Sequence, residues 1–149
     1  MLVGLGLGPG DPELLTLRAV RLLREADAVF VPGRIARDLV APYRDAEILS
    51  FPMTEDEAAI RKVIEEHADR IAPHAERGLA VFGLLGDPNL FSTYGRLVQV
   101  IREKHPQIPC TSEPGVSAIT AWTAAAGISL SEGFEVSDGS EPRCRILLK

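Results

Sequence analysis

The sequence predicts an α/β protein, a mostly parallel sheet with helices on both faces. Two observations carry this. Short apolar runs without polar alternation (residues 1–7, 28–31 and 79–85) read as strands buried on both faces. Between them lie longer segments with apolar residues at helical spacing, and helices alternating with such strands imply parallel pairing.

Taken in order, residues 1–7 are the first strand. Residues 12–25 read as a helix whose apolar stripe is Leu14, Leu17, Val20, Leu22 and Leu23. Asp11 is its expected N-cap, with Pro12 at the first helical position and Glu13 at the positive end of the dipole. AVFV at 28–31 is a strand stopped by Pro32 and Gly33, followed by a short helix over 35–41 and a strand over 47–50. Thr54 with Glu57 has the spacing of a capping box and is expected to open a helix that Gly78 ends. LAVFGLL at 79–85 is a strand, 92–104 a helix, 109–112 a strand and 116–126 a helix rich in small residues. Two strand-like pieces, FEVS (134–137) and RILLK (145–149), follow with no helix to cover them. They read as the start of another layer. The expected division is an N-terminal α/β domain over 1–114, a connecting helix and linker over 115–132, and the opening of an incomplete second α/β domain over 133–149.

The chain has 149 residues, 46% of them hydrophobic and 25% charged, which is enough to bury a core. Its net charge of −5, without any basic run, argues against nucleic acid and membrane surfaces as partners. Cys110 and Cys144 form neither a CxxC pair nor a disulfide framework. No stretch has the length of a membrane span or the pattern of a signal peptide, so a cytoplasmic protein is expected.

The segment GLGLGPGDPELLT carries glycines at 4, 6, 8 and 10 after an apolar strand. A dinucleotide fingerprint requires G-x-G-x-x-G and an acid at the end of the next strand. Here Pro9 stands at the third glycine position and the second strand ends Val31-Pro32-Gly33-Arg34. Arg34 alone keeps an NADP reading open, and the absence of Gly-Lys-Ser/Thr excludes a Walker loop. Asp11 would oppose an anion where a pyrophosphate must sit, so a neutral or cationic ligand fits the loop better. The glycines alternatively do no more than permit a tight turn. A second turn, LLGDPNLFSTYG, again follows a buried strand, and EPGVSAIT brings Gly115, Ser117 and Thr120. Ligands of open α/β sheets bind at such strand ends, and the three loops together predict a polar crevice not built for an anion.

GLGLGPGDPELLTLRAVRLLREADAVFVPG, LLGDPNLFSTYGRL and EPGVSAITAWTAAAGISLSEG resemble the tetrapyrrole methylase family in order and spacing up to about Gly133. FPMTED (51–56) and GDPNLFST look most like its precorrin-2 or cobalt-factor II C-20 methyltransferase branch. LFSTYGR stands where the uroporphyrinogen III methylase branch has an FGRGGEE-like stretch. The resemblance implies methyl transfer from S-adenosylmethionine to a tetrapyrrole in cobalamin biosynthesis, two α/β domains with the cofactor between them, and a homodimer. Carried over by motif, Pro9 lines the cofactor site from the first loop, Leu85, Gly86, Asp87 and Leu90 from the second, and Ser117 and Ala118 from the third. The chain ends soon after entering the second domain, a departure from the family pattern that leaves that domain's contacts unassigned. No catalytic acid or base is assigned, since displacement at a sulfonium methyl depends on alignment. Asp87 orients the cofactor or acts as a turn acceptor, and Asp11 is read as a cap. The alternatives are another corrin-ring methylase, a diphthine-synthase-like enzyme, or a non-catalytic ligand-binding or dimerising module.

No metal site is expected. His67 and His74 are seven residues apart, two turns along one helix, in charged surroundings that suggest a solvated face. His105 is read as surface and Cys110 as core. Met53 is read as packing its loop, with lining a substrate trough beside Phe51 as the alternative. Trp122 is expected on a close-packed helix face. Arg34, Arg37 and Arg44 are candidate partners of substrate carboxylates, surface ion pairs being the ordinary explanation of each.

Overall fold

A computed structural model describes residues 1–131 and 133–137. Five parallel strands, β1 (Leu2–Gly6), β2 (Ala28–Val31), β3 (Glu47–Ile48), β4 (Ala80–Leu84) and β5 (Cys110–Glu113), form one sheet in the order β3-β2-β4-β1-β5. The helices are α1 (Leu17–Glu25), α2 (Arg34–Val40), α3 (Glu57–Arg77), α4 (Tyr94–Lys104) and α5 (Ala118–Ala125).

Alternation along the strands divides the core into two layers. On one face Val3, Leu5, Val29, Val31 and Val81 meet Ala19 and Leu23 of α1 and Ala36 and Val40 of α2. On the other, Leu2, Phe30, Phe82 and Leu84 meet Ile64 and Ile71 of α3 and Leu97 and Ile101 of α4. β1 and β4 are neighbours, yet β1 leads to a helix on the first face and β4 to one on the second. Their outgoing loops therefore diverge, which is how an open α/β sheet makes a crevice at its C-terminal rim.

The expected fold class is present, with three local corrections. The first helix is interrupted: Asp11 caps only a 3₁₀ turn over Pro12–Leu14, accepting from Glu13 N at 2.9 Å. Leu15 is then extended, and Thr16 caps α1 by accepting from Ala19 N at 3.0 Å. Leu17, assigned above to the buried stripe, is 92% exposed. Secondly, α3 is opened by Asp56, whose carboxylate accepts from Ala58 N and Ala59 N at 2.9 and 3.2 Å. Thr54 only accepts from Asp56 N, and Glu57 turns away to bind Arg96 in place of closing a capping box. Thirdly, residues 134–137 form no strand. RILLK and Cys144 lie outside the described residues.

Candidate functional site

Because every strand is parallel, the loops after β1, β4 and β5 all emerge at one rim. They are pinned back to back. Leu7 N donates to Leu84 O at 2.8 Å, and Gly86 N donates to Gly8 O at 2.7 Å, bridging the first two loops across the diverging strands. Asp87 fastens the third, accepting from Gly115 N at 3.1 Å through one carboxylate oxygen and from Asn89 N at 2.8 Å through the other. Asn89 in turn accepts from the Ser112 hydroxyl at 3.1 Å.

The alternating glycines have different reasons. A side chain at Gly4 would enter the Tyr94 ring, whose carbons lie 2.5–2.6 Å from the Cβ position. One at Gly6 would stand 2.5 Å from Gly115 Cα and 2.8 Å from Gly86 O, so here backbone rests on backbone. Gly8 and Gly86 both have φ of +71°, the left-handed region that permits the two turns to face each other. Beside Gly86 the space is open, the next atom being the Ala118 amide 3.8 Å from the Cβ position. Ser117 caps α5, its hydroxyl accepting from Thr120 N at 3.3 Å.

The structure places six of the seven residues named for the cofactor on these three loops and the seventh, Ala118, at the start of α5. Gly86 is buried, Pro9, Asp87 and Ser117 are half-buried, and Leu85, Leu90 and Ala118 are exposed. Ala118 also borders an open apolar cavity of about 530 Å³ with Trp122, Leu130 and Phe134. Electrostatically the crevice offers an anion little. Asp11 and Glu13 are exposed on the first loop, and the nearby Arg18 is paired with Glu113 at 2.8 Å. After the first loop no α-helix starts where the dinucleotide fingerprint needs one, since α1 begins only at Leu17 and its first turn is capped by Thr16. That geometry weighs against the NADP reading.

Sequence reasoning missed Tyr94. It is buried against Gly4, its hydroxyl donates to Thr111 O, and burial pushes its pKa well above the ordinary phenol value. The signal was present, an aromatic opening the helix after the GDP turn and able to lie over a strand glycine. Phe91, in the second loop, has a φ of 48° and is exposed.

Other side chains depart from expectation. His67 is buried at 7% exposure, because it falls on the same stripe of α3 as Ile64 and Ile71. Its Nε2 donates to Ser50 O at 2.9 Å and its ring meets Phe51 edge-on at 4.9 Å. His74 is half-buried, packing edge-on against Phe30, and His105 lies beside Asp69 at 3.3 Å. Asp69 is held below the usual carboxylate range chiefly by its bond from Lys104. Cys110 is half-buried against the α3/α4 layer, and burial raises its thiol pKa. Trp122 is 63% exposed and α5 buries no residue, so this face is not close-packed among the described residues. Met53 is fully exposed and does not pack its loop. Of the three arginines, Arg37 pairs with Asp38, and Arg44 donates to Ala26 O near the start of β2, at the opposite rim of the sheet. Arg34 follows β2 at the rim, with no ion pair among the described residues.

Comparison with known proteins agrees with this geometry. Residues 1–146 match the model of the Tetrapyrrole (Corrin/Porphyrin) Methylases. The chain is 34% identical over 141 residues to a probable cobalt-precorrin-2 C(20)-methyltransferase of Methanocaldococcus jannaschii, covering 89% of this chain and 60% of that protein. It is 36% identical over 135 residues to a uroporphyrinogen-III C-methyltransferase of Paracoccus denitrificans, covering 89% of this chain and 44% of that one. Among solved structures it superposes on the uroporphyrin-III C-methyl transferase of Thermus thermophilus complexed with S-adenyl homocysteine. The TM-score is 0.60 at 27% identity, over 89% of this chain and 53% of that one. The chain thus spans about three-fifths or less of these relatives. With its three-loop crevice and its match over nearly its whole length, the chain belongs to the tetrapyrrole methylase family.

Proposed function

We propose that the protein transfers a methyl group from S-adenosylmethionine to C-20 of precorrin-2 or its cobalt complex, a step of cobalamin biosynthesis. The observation that supports this best is the crevice of three glycine loops, polar in backbone and lacking an unpaired cation in its own loops, in a member of this family. A ligand bearing a sulfonium, an ammonium and ribose hydroxyls suits such a site, whereas a pyrophosphate does not. The match to the probable cobalt-precorrin-2 C(20)-methyltransferase of M. jannaschii, over 141 residues and 60% of that protein, supports the C-20 position, as do the FPMTED and GDPNLFST stretches.

When bound, the cofactor supplies an electrophilic methyl group. The residues of this chain have the task of alignment and exclusion of water. Pro9, Leu85 and Leu90 offer apolar surface at the mouth of the crevice. Gly86 leaves room beside the Ala118 amide, and Ser117 holds the helix turn that presents that amide. Asp87 acts as a positioning residue by tying the second loop to the third. In this reading residues 133–149 open a second domain, and a cytoplasmic homodimer is the working form.

Asp87→Ala in the full chain tests the proposal. It removes the acceptor of two backbone amides, each bond to a carboxylate being worth about 1.5–3 kcal/mol, so S-adenosylhomocysteine affinity should fall at least about tenfold. Calorimetry showing unchanged affinity would sink the role of Asp87, and wild-type protein that binds no S-adenosylhomocysteine would sink the function.

A further inference from the structure

The segment after β3, residues 49–56, leaves the sheet at the same rim as the three loops, since β3 is parallel to the other strands. Two contacts bring it beside the second loop. The Phe51 ring lies 6.0 Å from that of Phe82 on β4. At the far end of the segment, Glu57 binds Arg96 through both oxygens at 3.0 and 3.1 Å, joining the first turn of α3 to the first turn of α4. Between these anchors Met53 stands fully exposed.

The anchor beneath the segment is His67, the one buried polar side chain among the described residues. Nε2 donates to Ser50 O at 2.9 Å, the ring edge packs on Phe51, and Nδ1 has no partner among the described residues. A buried polar atom without a partner is costly, and leucine would fill a helix stripe of this kind without it. A histidine here destabilises the helix–sheet packing and in return fixes the backbone of Ser50 and the ring of Phe51.

We infer that His67 is a positioning residue that holds residues 50–53 as one wall of the substrate site, with Met53 presenting apolar surface to the tetrapyrrole macrocycle. The inference rests on the function proposed above. A macrocycle of this class is apolar across its face and carboxylate-rich at its edge. Arg34, just after β2, which lies between β3 and β4 in the sheet, supplies a cation on the same rim without an ion pair among the described residues. The Met53 wall shares the rim of the cofactor loops and is no part of them, as a surface for the methyl acceptor requires.

The test uses the full chain with two probes: S-adenosylhomocysteine by calorimetry and uroporphyrin, an octacarboxylic porphyrin, by fluorescence. His67→Leu should weaken uroporphyrin binding at least tenfold and leave S-adenosylhomocysteine within twofold. His67→Gln, which keeps an N–H for the Ser50 carbonyl, should recover uroporphyrin binding to within threefold of wild type. Met53→Ala should weaken uroporphyrin alone. Unchanged uroporphyrin binding in His67→Leu overturns the inference, as does a parallel loss of both probes that His67→Gln fails to repair. If His67→Leu does not fold, His67→Asn, too short to reach Ser50 O, takes its place with the same expectations. If wild type binds neither probe, the methyltransferase reading fails separately. Thermolysin cleavage near Met53 then decides the positioning role: at least tenfold faster in His67→Leu than in His67→Gln supports it, and equal rates overturn it.

Discussion

Adding one methyl group at Gly6 measures how much of the crevice depends on direct backbone packing. The new Cβ would stand 2.5 Å from Gly115 Cα and 2.8 Å from Gly86 O, both backbone atoms that no rotamer change can move aside. Carbon contacts relax at about 3.5 Å, so the loops must part by about 1 Å. That displacement breaks the Gly86 N–Gly8 O bond at 2.7 Å and the Gly115 N–Asp87 bond at 3.1 Å. A neutral bond contributes about 0.5–1.5 kcal/mol and one to a carboxylate about 1.5–3, so Gly6→Ala should cost about 2–4.5 kcal/mol. With a urea slope of about 2 kcal/mol/M, the unfolding midpoint should drop by about 1–2 M. Gly33→Ala is the control, because no atom lies within 4 Å of its Cβ position and its backbone is extended. That variant should stay within about 0.5 kcal/mol of wild type. Urea unfolding followed by circular dichroism reads both. A Gly6→Ala midpoint within about 0.3 M of wild type would refute the packing argument.

Three further outcomes are expected. Tyr94 has a raised pKa in the fold, chiefly from burial, so above about pH 10 the unfolded chain releases this proton while the folded one retains it. Stability should then fall with rising pH by about 1.4 kcal/mol per unit, and Tyr94→Phe should remove that slope in unfolding measurements from pH 9 to 11. Asp56→Ala, which deprives two helix amides of their acceptor, should cost about 1 kcal/mol in thermal unfolding, and Thr54→Ala less than half of that. The sole tryptophan, Trp122, should emit at long wavelength and be quenched readily by acrylamide. Blue-shifted, protected emission would mean that the α5 face is covered in solution.

Much of the fold was legible because its signals are local. Runs such as AVFV and LAVFGLL are apolar on both sides, and only a strand covered on two faces needs that. The strand order was not legible, since β4 enters between β2 and β1 through pairings distant in sequence. Capping failed at Thr54 because three polar residues compete there, and the winner depends on where Glu57 finds Arg96, a tertiary partner. The helix after Asp11 failed for a related reason: Thr16 is a second cap of equal chemistry five residues on. His67 was misread from its charged neighbours, although its spacing from Ile64 and Ile71 already put it on the apolar stripe. Trp122 and Met53 went wrong in the opposite direction. Apolar character predicts burial within the described residues only when something there covers it, and α5 and the rim segment have no such cover. At the candidate site, the loops were visible as glycine motifs. The contact of Gly6 with Gly115, from opposite ends of the sequence, belongs to the folded chain alone.

That contact also restricts how the family could diversify. Where main chain lies against main chain there is no side-chain position to vary, and each of the three loops fixes the path of the other two. Exchanging one loop for that of a relative would mismatch both remaining partners unless all three were exchanged together. Under the proposed function, substrate selectivity is expected to change at the exposed rim positions Met53 and Phe91, where a substitution alters the surface shown to a ligand and leaves the scaffold in register.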